Sequence, residues 1–225
     1  MSRTQIKTAA LSGIIAALLC GGAFAQNAAN DVQRNVNQQQ RIENGLKDGS
    51  LNTREAARLE KGEARIERME ANSLRDGKVS PQEQRRITEA QNRESKAIYN
   101  ERHDAQKGNP NSASSQRMQA DVQRNVNQQQ RIENGIRSGQ LTNREAGRLA
   151  RGEAHINRME SRAGADGHVS KGEQTRIQRA ENRESRAIHR EKHDAQVRRL
   201  TVPAPQKRTP HAGVFAARNW LEPGA

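Results

Sequence analysis

Four short segments carry the side chains with the widest chemical scope. Asn44 to Glu55, Asn72 to Glu83, Asn134 to Glu145 and Arg162 to Glu173 share one twelve-residue pattern of oxygen-bearing residues around a glycine. The candidate ligands are Asn44, Asp48, Asn52 and Glu55 in the first segment and Asn72, Asp76, Ser80 and Glu83 in the second. The third offers Asn134 and Glu145, and the fourth Asp166 and Glu173. Oxygen donors are what a hard cation of the calcium class takes, six to eight of them with several negative charges. No segment offers more than two carboxylates, so weak calcium binding is the expectation. Ser138 replaces the aspartate in the third segment, and Arg162 opens the fourth.

The same residues have a purely local use. Asn52 to Glu55, Ser80 to Glu83, Thr142 to Glu145 and Ser170 to Glu173 have the spacing of a capping box at a helix start. Pro81 sits where a first helical residue belongs. The glycines before them, Gly49, Gly77, Gly139 and Gly167, suit a positive φ that ends the preceding helix. Metal ligation and capping both account for the pattern.

The pattern also resembles the EF-hand loop, with glycine at position six, Leu51, Val79, Leu141 or Val169 at position eight and glutamate at position twelve. The resemblance implies helix-loop-helix pairs and calcium. It departs from that family at position three, where Leu46, Leu74, Ile136 and Gly164 supply no side-chain oxygen.

Other reactive chemistry is sparse. His189 and His193 are spaced for one helix face, as zinc ligands are, but no third ligand is in register and Tyr99 stands where the repeat places His189. Cys20 is the only cysteine. No nucleophile elbow, phosphate-binding glycine loop or zinc-protease motif is present, so no catalytic activity and no other cofactor are expected.

The elements that must position these residues are helices. Residues 31–106 align without gaps on residues 121–196 at an offset of 90, with about two-thirds of the pairs identical. Val32, Val36, Ile42 and Leu46, then Leu59, Ile66 and Met69, then Ile87, Ala90 and Ile98 recur at helical spacing. The predicted fold is all-α: two tandem helix-loop-helix-loop-helix modules, 31–106 and 121–196. A flexible Gly/Asn/Ser-rich linker over 107–120 joins them, and a disordered tail over 197–225 follows. Residues 1–25 read as a signal peptide, with Arg3 and Lys7, an apolar run from Ala9 to Leu19 and an Ala23-Phe24-Ala25 cleavage signal. A periplasmic or secreted location follows from that leader, with no transmembrane span after its removal.

Only 32% of residues are hydrophobic and the mean hydropathy is -1.10, so thin cores are expected. The net charge of +13 is not concentrated in the modules. The first holds 15 basic and 14 acidic residues, the second 15 and 11. Residues such as Arg58, Glu60, Lys61, Glu63, Arg65 and Glu67 alternate in sign, a pattern expected of ion pairs along solvated helix faces. Aromatic residues for stacking on bases are nearly absent, and nucleic acid is not an expected partner. An anionic envelope partner, met by the second module and the tail, is open, as is a protein partner.

Each module resembles a group of small periplasmic helical proteins of proteobacteria. The resemblance rests on Gln38 to Ile42 and Gln128 to Ile132, Gly139 to Glu145, Ala165 to Glu173 and Lys192 to Gln196. It implies an exported helical protein and little about mechanism; with no catalytic motif in the chain, an exported, non-catalytic helical repeat protein is the expectation. A weaker similarity, at Leu51 to Glu55 and Leu141 to Glu145, is to the L-T-x-x-Q motifs of periplasmic helical chaperones, and implies an envelope-stress role as the alternative.

Overall fold

The computed structural model describes residues 16–194, with side chains from Gln26 onward. Residues 1–15 and the tail expected over 197–225 lie outside this description, and the segment expected to be a signal peptide is described only as backbone from residue 16. The described chain is all-α: α1 (Ala16–Asp48), α2 (Thr53–Ser73), α3 (Pro81–Arg102), α4 (Ala113–Arg137), α5 (Asn143–Ala163) and α6 (Lys171–Lys192). No strand occurs among the described residues, and no helix there is long and apolar enough to cross a membrane.

Local chemistry sets the helix ends. Gly49, Gly77, Gly139 and Gly167 have φ of 75°, 87°, 72° and 88°. A side chain in that region costs about 1 kcal/mol or more, so glycine turns the chain there. Three or four residues later a new helix starts on a polar cap.

The helices pack across the repeat rather than within it. The most extensive pairings are α2 with α5 and α1 with α4. Both are antiparallel. Arg137 near the end of α4 reaches Asn30 early in α1, whereas Gln119 early in α4 bonds the Leu46 carbonyl late in α1. On the other pair, a Cβ at Gly147 would lie 2.8 Å from the Leu74 Cβ, and one at Gly164 would lie 2.8 Å from that of Ala57. Small residues thus let α2 and α5 come close. Helix α3 closes the α1–α2 side and α6 the α4–α5 side.

Two apolar cores result, each built from both halves of the chain. Ile42, Leu46, Leu51 and Ile98 pack with Met118, Val122, Ile156 and Ile177. Val32, Leu74, Val79 and Ile87 pack with Ile132, Ile136, Leu149 and Ile188. The expected pair of modules on a tether needs correction at its joint. Residues 113–120, read as part of a flexible linker, are the first two turns of α4, capped by Ser112, whose hydroxyl accepts from the Ser115 amide at 3.1 Å. The remainder is tied down: the Gly108 amide donates to the Gly49 carbonyl at 2.9 Å, and a Cβ on Gly108 would lie 2.2 Å from the Leu51 carbonyl oxygen. Composition misleads here because Ser112, Ser114 and Ser115 serve a cap and the packing of a helix start, not a solvated coil.

Candidate functional site

All four segments form capping boxes. The amide of Asn52 donates to Glu55 Oε2 at 2.9 Å while Asn52 Oδ1 accepts from the Glu55 amide at 3.0 Å. Ser80 with Glu83, Thr142 with Glu145 and Ser170 with Glu173 repeat the arrangement. The Ser80 and Ser170 bonds hold the Glu83 and Glu173 carboxyls below the usual carboxylate range. Asp48, Asp76 and Asp166 fold back on the amides two residues on, at 2.8, 2.9 and 2.8 Å. Partial burial alone would raise the Asp48 carboxyl, but bonds from Ser50 and Arg102 outweigh it and hold it low. Asn44, Asn72 and Asn134 remain inside α1, α2 and α4 with exposed side chains.

Two of the four capping glutamates, Glu55 and Glu145, stand beside further carboxylates. Glu55 in the first turn of α2, Glu101 in the last turn of α3 and Asp104 just beyond it each bring an oxygen within 4.8 Å of the others. The repeat rebuilds the group from Glu145, Glu191 and Asp194. Glu55 and Glu145 are buried, and with Oε2 committed to the cap each leaves Oε1 without a hydrogen-bond partner. Burial, then the neighbouring Asp104 and Glu101, raise the Glu55 carboxyl, against the Asn52 amide and Arg58. Arg58 touches Glu101 at 3.4 Å, and Arg148 reaches Glu191 at 2.8 Å and Glu145 at 3.7 Å. Each group is an all-oxygen donor set that fits a hard divalent cation better than a soft one. Glu101, Asp104, Glu191 and Asp194 are half-buried, which leaves room for water in the coordination shell. Sequence reading reached Glu55 and Glu145 but missed their partners, because α2 meets the end of α3 only through the fold. The shared His103-Asp104 and His193-Asp194 ending was the available signal.

The histidines have a different use. The His193 ring lies 4.3 Å from that of His189, and its Nδ1 contacts the His189 carbonyl at 2.7 Å. Tyr99 and His103 make the same stack at 4.1 Å. A ring pair capping the helix end is what the repeat keeps.

Between the apolar cores lies a layer of buried acids and amides, of which Glu60, Glu63 and Glu67 were expected on a solvated face. Glu60, Glu63, Glu67 and Glu70 are all buried on α2, whereas Lys61, Arg65 and Arg68 are exposed, so ion pairing along a solvated face does not form there. Glu70 accepts from Asn35 at 2.9 Å and from Gln91 at 3.2 Å, and Glu160 from Asn125 at 2.8 Å. Glu67 accepts from Gln129 at 2.6 Å and from Asn157, its own counterpart 90 residues on, at 3.0 Å. A pseudo-two-fold axis therefore crosses the α2–α5 interface near Glu67. Glu63 and Glu153 are fully buried, with neither carboxyl oxygen hydrogen-bonded. Burial pushes Glu60, Glu70 and Glu181 up to about 8 and Glu94 and Glu184 to about 7. It raises Glu63, Glu67, Glu153 and Glu160 as well. At neutral pH much of the layer is uncharged acid, which avoids the cost of burying lone charges.

Comparison with protein-family models, with curated proteins and with solved structures finds no match to this chain.

Proposed function

We propose that this chain is an exported, non-catalytic helical protein that binds divalent cations of the calcium class at its two carboxylate triads. The observation that carries the reading is that Glu55 and Glu145, each with a buried Oε1 that accepts no hydrogen bond, stand with two further carboxylates in a group whose oxygens lie within 4.8 Å of one another and which the repeat builds twice. Three carboxylates per site are one more than any of the four loops supplies, which moves the expected calcium ligands from the loops to the α2–α3 and α5–α6 junctions. Arg58 and Arg148 compete for the same oxygens, so the affinity is modest.

The experiment is calorimetric titration of residues 26–225 with calcium, beside a variant carrying Glu101→Gln, Asp104→Asn, Glu191→Gln and Asp194→Asn. Two sites per chain that vanish in the variant are the expected result. Absence of heat in the parent, or equal binding in the variant, contradicts the reading. Both capping glutamates stay intact in the variant, so loss of binding does not reduce to loss of a helix cap.

A further inference from the structure

The inward turn of the acids has a counterpart on the opposite side of the same helices. An open groove of about 720 Å³ runs along the outer face of the α2–α5 pair. Its rim carries Lys61, Arg65 and Arg68 from α2 and Arg158 and Arg162 from α5. Ala64, Met69 and Ala165 contribute its apolar lining, and no acidic residue borders it. Residues three or four apart share a helix face, so Glu63, Glu67 and Glu70 would ordinarily neutralise these cations. They are instead in the buried layer. None of the five cations forms an ion pair among the described residues. The antiparallel register of α2 and α5 sets Arg65 across from Arg158 and Lys61 across from Arg162.

We propose that this groove binds a single-chain anionic amphiphile, its acidic head held among the guanidinium groups and its hydrocarbon chain laid along Ala64, Met69, Ala165 and the arginine stems. Guanidinium forks match carboxylate and phosphate heads bidentately, and arginine stems cover apolar surface while their heads stay wet. The volume lies in the range of pockets that take one small organic molecule. The chain's own tail is excluded as occupant by charge, since residues 197–225 hold five Lys and Arg against Glu222 alone. The assignment is independent of the carboxylate triads, which lie at the α2–α3 and α5–α6 junctions.

The test is calorimetric titration with dodecanoate below its micellar concentration, in chelator so that the triads take no part. Parallel arms use acetate, uncharged dodecyl maltoside and vesicles of anionic phospholipid. The variants are Arg65→Gln with Arg158→Gln and Arg162→Gln, and separately Ala165→Trp, which fills the groove from an exposed position. One dodecanoate per chain, at least tenfold weaker in both variants and not reproduced by acetate or maltoside, is the expected result. Equal binding of the maltoside, binding unchanged in the variants, capture by vesicles alone, or no dodecanoate heat would each overturn the assignment. Thermal melts of the variants confirm that they remain folded.

Discussion

At the residue scale, the proposed site gives one side chain two jobs. Glu55 uses Oε2 to close the capping box of α2, keeps Oε1 buried without a hydrogen bond, and brings an oxygen within 4.8 Å of Glu101 and Asp104. Two substitutions separate the jobs. Ser80→Ala removes a cap without touching a triad and costs about 1 kcal/mol, read as a fall in the melting temperature with calcium binding intact. Asp104→Asn leaves every capping box in place and weakens calcium at one site only. A third substitution tests close packing: a Cβ at Gly62 would lie 1.8 Å from a Glu94 carboxyl oxygen, and Gly152 stands likewise against Glu184. The contact is with the end of a flexible, half-buried side chain that can swing aside, so Gly62→Ala leaves stability within about 1 kcal/mol of the parent, helped by alanine's better helix propensity. Chemical denaturation measures it, and a larger loss would mean that the Glu94 carboxyl is held in place.

At the element scale, the starts of α2, α3, α5 and α6 were legible in the sequence, because caps and glycine turns are local, whereas the start of α4 was read as linker. Asn52, Ser80, Thr142 and Ser170 each begin a helix at the residue their spacing predicts. What a helix turns inward was not legible, because glutamate so rarely lies buried that Glu60, Glu63 and Glu67 read as solvated. With Glu70, their spacing of three, four and three is nonetheless that of an inward face. The layer has a mutational consequence. Glu63 accepts no hydrogen bond, so Glu63→Met exchanges a buried unpaired acid for apolar volume. Stability should rise by about 1 kcal/mol or more at pH 8, where desolvation of the carboxyl costs most. A loss of stability at that pH would mean that Glu63 has a partner.

At the scale of the whole molecule, the two halves of the sequence complete one another. Each apolar core takes helices from both, a relation that no spacing within one repeat encodes. Residues 26–106 alone should therefore be unfolded, or should dimerise across the face that α4 and α5 normally fill, as sedimentation and circular dichroism would show. The buried acids set the pH response. Glu60, Glu70 and Glu181 near 8, Glu94, Glu184 and Asp121 near 7 and Asp31 near 6 all lie above their unfolded values of about 4. Their contribution is complete below about pH 4 and is lost as pH rises through 6 to 8. Asp48, Glu83 and Glu173 run the other way, stabilising above about pH 4 and losing that effect as their lowered values are crossed in acid. Stability should peak near pH 4, with the melting temperature at least ~5 °C higher there than at pH 8.5.

Calcium binding is tested most directly by the helical melt of residues 26–225 with the metal and then with chelator, followed by circular dichroism at 222 nm. One cooperative transition that moves upward as calcium is added, by mass action on the folded state, is the expected result. The shift should disappear when Glu101, Asp104, Glu191 and Asp194 are replaced by their amides. A transition indifferent to calcium in the parent chain would leave Glu55 and Glu145 as helix caps alone and contradict the proposed function.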